Sequence, residues 1–332
     1  MKIAILGSGS WGYCLASLLA TKGYKTISWT TKQALANELS ATRTHPSLPT
    51  HRSSGDMTFT TNLAEALDGI DLLVESVTSA GLRPVFEKVK KIGIPLCSIV
   101  VSSKGIEQNT GLILPNVIVE TLGEEVRNQV GLLTGPSFAE EVIRGLPTSV
   151  VGSAFAKDTM HFICDAFTTQ SFRVYPNADI YGACYGSALK NVIAIACGIS
   201  EGLKLGSSSK AALMTRGLHE VRKLSIALGC DPSTLNGLSG MGDFVLTCNS
   251  PISRNFRYGM LLAQGLNPDE AEKKIEMVVE GRYTCISALQ LSKKLQVPMP
   301  ITETVGDIVS GKIKPLDAVY ALMQRTVKEE SL

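Results

Sequence analysis

A doubly wound, mostly parallel α/β sheet followed by an all-helical domain is the fold class that this sequence predicts. Short apolar runs alternate with amphipathic segments as far as Pro176, the pattern that a parallel sheet with crossover helices demands. Beyond Asn177 the strand-like runs stop and only helical periodicity continues. The 332 residues, 44% of them hydrophobic, are enough for two cores. Two domains are expected, 1–179 and 180–332, without a low-complexity linker.

The expected strands are 3–6, 26–29, 71–74, 98–101, 131–133, 149–151 and 172–174. The first, Lys2-Ile3-Ala4-Ile5-Leu6, runs straight into Gly7-Ser8-Gly9-Ser10-Trp11-Gly12 and then into an apolar, small-residue helix over 13–21. This is a G-x-G-x-x-G in a strand-turn-helix setting, with Gly7 for the tight turn, Gly9 for close approach of a pyrophosphate and Gly12 for helix packing on the sheet. Dinucleotide phosphates would sit at the helix amino terminus, which makes the sheet Rossmann-like.

A carboxylate after the second strand would bind the adenosine ribose 2′-hydroxyl and select NAD. Trp29 is followed instead by Thr30-Thr31-Lys32-Gln33, whose hydroxyls and single cation suit a 2′-phosphate. NADP or NAD is the expected cofactor, with NADPH favoured as reductant. The plainer reading of Lys32 is a solvated charge on the following helix.

A net charge of +2 with mixed signs argues against nucleic acid as the partner. No uninterrupted apolar run approaches membrane-spanning length, and the start lacks signal-peptide anatomy, so a cytoplasmic chain is expected. Eight cysteines are scattered without a C-x-x-C and read as small core residues in a reducing compartment. The four histidines show no ligand spacing, and no metal is expected.

Ligands of open α/β sheets bind outside the carboxyl ends of the strands. Two polar clusters follow expected strands there: Ser102-Ser103-Lys104-Gly105-Ile106-Glu107 and Thr134-Gly135-Pro136-Ser137-Phe138-Ala139-Glu140-Glu141. Lys104 reads as a surface charge or a ligand clamp. Ser137 with Glu140 reads as a capping box opening a helix, or as backbone surface for substrate or nicotinamide.

The helical half is expected to hold helices near 180–200, 207–229, 253–264, 268–278, 281–295 and 315–327, broken at 235–242 and at Val297-Pro298-Met299-Pro300. In the first of these, Ala183, Gly186, Ser187, Ala194 and Cys197 share one narrow face with Lys190. An ammonium within a close-packing stripe either lines a polar cleft, titrates with a lowered pKa, or snorkels to water. Ser253 reads as an N-cap that places Arg254 and Asn255 in a first helical turn, where free N–H groups and a guanidinium can hold an anion. Val278-Val279-Glu280-Gly281 is an acidic turn with Arg282 as the expected partner.

Together, Gly7–Gly12 with Trp11, Ser103-Lys104-Gly105, Gly135-Pro136-Ser137-Phe138-Ala139, Ala188-Leu189-Lys190-Asn191, Gly240-Met241-Gly242-Asp243, Ser253-Arg254-Asn255 and Val279-Glu280-Gly281 resemble bacterial NAD(P)-dependent glycerol-3-phosphate dehydrogenases, in order over nearly the whole chain. The resemblance implies reversible hydride transfer between dihydroxyacetone phosphate and sn-glycerol 3-phosphate, feeding phospholipid synthesis. Composition adds the expectation of a cytoplasmic protein without nucleic-acid or integral membrane partners, and a homodimer is expected although no sequence feature specifies the oligomeric state. The resemblance makes Lys190 the proton donor and acceptor. It assigns substrate binding to Lys104, Gly135, Ser137, Lys190, Asp243, Ser253, Arg254 and Asn255. Cofactor contacts fall on Gly7, Gly9, Ser10, Trp11, Gly12, Lys32, Lys104, Ala139, Arg254, Val278 and Glu280. The chain departs from the family pattern at Thr31, Cys184, Ser187, Ser207 and Ser208. The rival readings are a hydroxyacid- or ketopantoate-type dehydrogenase, which would bind a carboxylate, and a regulator that senses reduced cofactor without turnover.

Overall fold

In the computed structural model the chain divides into two compact units: Met1–Ser103 with Leu114–Ile180, and Lys104–Ile113 with Tyr181–Leu332. The structure describes residues 1–327 and 329, so residues 328 and 330–332 of the expected second domain lie outside the described residues. The expected uninterrupted 1–179 differs from this division at Lys104–Ile113. Specific bonds explain the exception. Ser287 Oγ donates to the Ile106 carbonyl at 2.9 Å, the Asn109 N–H to Gln290 Oε1 at 3.0 Å, and the Tyr185 hydroxyl to the Gly111 carbonyl at 3.4 Å, all within the second unit.

The first unit begins β1 (Lys2–Leu6), α1 (Ser10–Thr21), β2 (Lys25–Trp29), α2 (Gln33–Thr42), β3 (Met57–Thr60), α3 (Leu63–Leu67), β4 (Leu72–Glu75), α4 (Ser79–Ile92) and β5 (Ser98–Val101). It continues α5 (Leu114–Leu122), β6 (Val130–Thr134), α6 (Ala139–Val142), β7 (Thr148–Ala154), α7 (Lys157–Phe167) and β8 (Phe172–Pro176). The sheet order is β3-β2-β1-β4-β5-β6-β7-β8, and only the β6–β7 pair is antiparallel. Strand order therefore reverses between β1 and β4, where Leu6 pairs with Glu75. The central strands are buried on both faces, which is why Ile3–Leu6 and Leu72–Val74 read as continuous apolar runs. Strand β3 was absent from the sequence expectation. It is four residues long on the sheet edge, alternates Met57 and Phe59 with threonines, and is largely unburied, so it lacks that run.

The second unit holds α8 (Ile180–Gly202), α9 (Ser207–Ala227), α10 (Asp243–Asn249), α11 (Arg254–Ala263), α12 (Pro268–Ile275), α13 (Glu280–Leu295), α14 (Pro300–Val309) and α15 (Pro315–Met323). By length and composition α8 suffices to cross a membrane, yet its apolar stretch is buried inside the protein and carries Lys190 at its middle. Helices α10 and α14 were not expected. Pro300 takes the first-turn position of α14, where its missing N–H costs nothing, so the Pro-rich turn opens a helix. The next N–H groups, of Ile301 and Thr302, are met by the Glu220 carboxylate from α9 at 2.6 and 3.1 Å, a partner 81 and 82 residues away in sequence. A π-helical turn, Leu238–Gly242, leads into α10 where a break was expected.

Candidate active site

Within the first unit the carboxyl ends of β1, β4 and β5 form one ledge, because the ladder runs on from Gly7 N–H to the Trp29 carbonyl, Ser76 N–H to Leu6 and Ser102 N–H to Glu75. The G-x-G-x-x-G turn is built on it. Gly7 sits at φ 109°, and a Cβ there would lie 2.3 Å from the Ser76 carbonyl oxygen. A Cβ on Gly12 would lie 1.9 Å from the Gly7 oxygen, so only glycine lets α1 approach this closely. A Cβ on Gly9 would meet nothing within 4 Å, and Gly9 itself caps α1 without a side chain. That open surface before the free N–H groups of Ser10 and Trp11 fits a dinucleotide pyrophosphate.

Lys32 is the exposed N-cap residue of α2 at the end of the β2 loop. Gly135 follows β6, where a Cβ would press on the Val150 backbone at 2.9 Å. The expected Ser137–Glu140 capping box is overturned. Helix α6 starts one residue later than that box requires, Phe138 occupies the N-cap, and the Ser137 hydroxyl turns back to the Gly135 carbonyl at 3.3 Å. Ala139 opens α6, and its carbonyl accepts from Cys14 Sγ on α1 at 3.6 Å. At the end of β4 the carboxyl of Glu75 is fully buried and accepts from Val77 N–H at 2.7 Å and the Ser103 hydroxyl at 2.6 Å. Burial pushes it up to about 7, against those hydrogen bonds.

The second unit contains the lysine centre. Lys190 is 4% exposed and does not snorkel. Its Nζ donates to Asp243 Oδ1 and, at 2.6 Å, to Thr247 Oγ1. Asp243, 1% exposed, takes Lys104 Nζ on its other oxygen at 2.7 Å. One buried carboxylate thus stands between two ammonium groups. Burial lowers the Lys190 pKa to about 7; Asp243 opposes that shift and Lys104 reinforces it. The small stripe lets this assemble: a Cβ on Gly186 would lie 3.0 Å from Leu235 and 3.2 Å from the Ser239 carbonyl, in the turn that leads to Asp243.

The same helix seats the candidate anion site. A Cβ on Gly198 would meet the Phe256 carbonyl at 1.9 Å, and one on Gly259 the Ile195 carbonyl at 2.1 Å, so α8 and α11 cross with their backbones in contact. Ser253 caps α11 as expected, its hydroxyl accepting from Phe256 N–H at 3.3 Å. Asn255 donates to Asn191 Oδ1 and accepts from Gly281 N–H, both at 2.9 Å, tying α8, α11 and α13 together. The half-buried Arg254 guanidinium donates to the Val278 carbonyl at 3.1 Å; burial lowers its pKa, opposed by Glu280. The expected Glu280–Arg282 pairing is corrected. Arg282 pairs with Asp269 at 2.8 Å and Glu272 at 2.6 Å on α12, while Glu280 opens α13.

Lys104, Lys190 and Asp243 are therefore one cluster, and Ser253, Arg254, Asn255 and Val278 one neighbourhood with Glu280. The first unit carries Gly7, Gly9, Ser10, Trp11, Gly12, Lys32, Gly135, Ser137 and Ala139. Sequence reasoning passed over Thr247, which holds Lys190 while donating to the Asp243 carbonyl at 2.7 Å. Its signal was its place one helical turn after Asp243. It also passed over Glu75, which looked like the polar end of a strand.

A dinucleotide turn at the strand-order reversal and a buried Lys190–Asp243 pair joined by the part-buried Lys104 define a pyridine-nucleotide dehydrogenase. The comparisons agree. Residues 2–160 match the model for the NAD-dependent glycerol-3-phosphate dehydrogenase N-terminus and residues 179–320 that for its C-terminus. The chain is 63% identical over 331 residues to a glycerol-3-phosphate dehydrogenase (NAD(P)+) of Protochlamydia amoebophila, covering 100% of this chain and 99% of that one. It is 50% identical to the protein of that name from Chlamydia pneumoniae, covering 99% of each. The crystal structure of glycerol-3-phosphate dehydrogenase from Coxiella burnetii superposes with a TM-score of 0.92 at 35% identity, over 98% of this chain and 99% of that one. The chain belongs to the NAD-dependent glycerol-3-phosphate dehydrogenase family, which sets aside the hydroxyacid and ketopantoate reading.

Proposed function

We propose that this chain interconverts dihydroxyacetone phosphate and sn-glycerol 3-phosphate, with Lys190 as proton donor and acceptor. The observation that carries this reading is the Lys104–Asp243–Lys190 cluster, with Asp243 and Lys190 buried, in a chain of this family. NADPH or NADH, when bound, supplies the hydride. Gly7, Gly9, Ser10, Trp11 and Gly12 hold the pyrophosphate, and Lys32 supports an adenosine 2′-phosphate where NADPH is used. Ala139, Val278 and Glu280 complete the cofactor contacts, with Lys104 and Arg254 serving both ligands.

Reduction of a ketone places negative charge on its oxygen, and a preorganised ammonium stabilises that charge and then delivers a proton. An ammonium has three N–H groups; Asp243 and Thr247 take two from Lys190, and the third serves the substrate oxygen. Lys104 adds a second cation. With its pKa lowered to about 7, Lys190 exchanges its proton readily in both directions near neutral pH. The substrate phosphate is held at the α11 start by Ser253, Arg254 and Asn255, with Gly135 and Ser137 offering backbone and hydroxyl contacts.

The first unit serves as dinucleotide-binding domain and the second as substrate domain. The product feeds phospholipid synthesis in the cytoplasm, and the enzyme works as a homodimer without nucleic-acid or integral membrane partners. Steady-state rates with dihydroxyacetone phosphate and each reduced cofactor test the reading. Saturable oxidation of NADPH supports it, whereas cofactor binding without turnover favours a sensor.

A further inference from the structure

The second unit carries another concavity, which the dehydrogenase chemistry leaves unused. A groove of about 810 Å³ lies between α8, α9, α14 and α15, within the span of about 300–1,000 Å³ typical of small-molecule sites. None of Lys104, Lys190, Asp243 or Arg254 lines it. Ser200, which does, lies on α8 about 15 Å beyond Lys190 at the helical rise per residue.

Two features define what the groove accepts. Its floor is apolar and buried, with Ile199, Val305, Ile308 and Ala318, so the occupant has an apolar body. Its edge is cationic: Arg216, Lys223 and Arg325 are exposed, and none of the ion pairs among the described residues uses them. Among the described residues the one carboxylate in the lining, Glu220, has both oxygens engaged by Ile301 and Thr302 and is paired with none of the edge cations. Burial, reinforced by Lys223, Arg216 and Arg222, holds the lining His219 below its ordinary pKa, a sign of the positive local field. Ser200 is 4% exposed, and its hydroxyl has no hydrogen-bond partner among the described residues. It is one of six such buried polar groups among the described residues, so the choice of occupant rests on the apolar floor and the edge cations.

We propose that this groove binds a single-chain anionic amphiphile of the fatty-acid class, free in solution, with its chain on Ile199, Val305 and Ile308 and its headgroup between Arg216 and Lys223. Charge complementarity selects this occupant over a neutral apolar one, and the concave floor selects a single chain over a flat lipid surface.

The test is a calorimetric titration of dodecanoate, below its micelle concentration, into the full-length protein saturated with NADPH. Dodecanol serves as the uncharged probe, and sedimentation is followed in parallel. Saturable binding at one site is expected, with dodecanol at least about tenfold weaker, as for loss of a charge-assisted contact. Arg216→Ala with Lys223→Ala should weaken dodecanoate about tenfold or more, while Lys91→Ala, an exposed cation on α4, should not. Ala212→Trp, an exposed lining position, should block the groove. If that variant fails to fold, the charge variants decide. Absence of saturable binding, equal binding of dodecanol, or affinity untouched by both charge variants and Ala212→Trp would overturn the proposal. So would loss of a dimer in Ala212→Trp without bound dodecanoate, which assigns the groove to a second copy. The titration reads binding and not turnover, so its outcome is independent of the role given to Lys190.

Discussion

Asp243→Asn removes one charge and almost no volume from the lysine centre. The carboxylate accepts from both ammonium groups, so the substitution takes the counter-ion from each and leaves two cations facing one another. At charge separations of about 4 Å and an effective dielectric of about 20, the lost attraction is about 4 kcal/mol, about three pH units in the Lys190 titration. Lys190, already lowered to about 7 by burial, then titrates about three units lower and is almost wholly neutral at pH 7. If Lys190 is the proton donor, reduction of dihydroxyacetone phosphate at pH 7 should fall by about 10²–10³-fold. Because the loss is one of protonation, the rate should recover as the pH is lowered toward 5. The sign reverses for oxidation of glycerol 3-phosphate, which needs the neutral amine and should lose less at neutral pH. Rates in both directions from pH 5 to 9, with thermal melting to confirm the fold, give the answer. A variant whose reduction profile stays at the wild-type position would refute the electrostatic argument, whatever its absolute rate.

Four further outcomes follow from the same geometry. Lys190→Met keeps the apolar stem in its stripe and should cut kcat by about 10²–10⁴-fold while NADPH affinity stays near normal; an active variant removes the catalytic assignment. Arg254→Ala should raise KM for dihydroxyacetone phosphate and cost about 1.5–3 kcal/mol in kcat/KM, and unchanged kinetics would place the phosphate elsewhere. Lys32→Ala should weaken NADPH while sparing NADH, so equal effects on the two cofactors in fluorescence titrations would leave Lys32 a solvated charge. Glu75→Gln tests the buried carboxyl of β4 through stability. Its folded pKa, raised from 4.5 to about 7, means the folded state holds the proton more tightly, so wild-type stability is lost as pH rises through that window, by about 3 kcal/mol at most. The melting temperature of the variant should therefore gain on wild type between pH 5 and pH 8. Glu220, raised likewise to about 7, keeps part of the slope in both proteins, so a parallel pair of profiles would show that Glu75 does not titrate as described.

How much of this was legible in the sequence depended on whether the cause was local. The Gly7–Gly12 turn and the Ser253 cap were readable because strand, turn and helix signals are contiguous, and the structure places each glycine where its missing Cβ is needed. Strand β3 was not, since edge strands carry no continuous apolar run. Nor was α14, whose amino terminus is satisfied by Glu220 from another helix. Ser137 failed in the opposite way. The local pattern was present, but the chain after Gly135 turns so that its hydroxyl meets the Gly135 carbonyl and Phe138 takes the cap.

The same distinction settles the departures from the family pattern on α8. Lys190 was conspicuous because an ammonium within a small-residue stripe conflicts with local packing, yet its partners could not be read there, since Asp243 and Thr247 lie 53 and 57 residues away. Cys184 and Ser187 sit on the same helix, and the Ser187 hydroxyl turns back to the Cys184 carbonyl at 3.0 Å. The Ser187 hydroxyl is thus satisfied within its own turn and supplies no acceptor to the ammonium, and the electrostatics of Lys190 rest on burial, Asp243 and Lys104. That is why Asp243, and not a neighbour on α8, is the residue whose charge should move the pH profile.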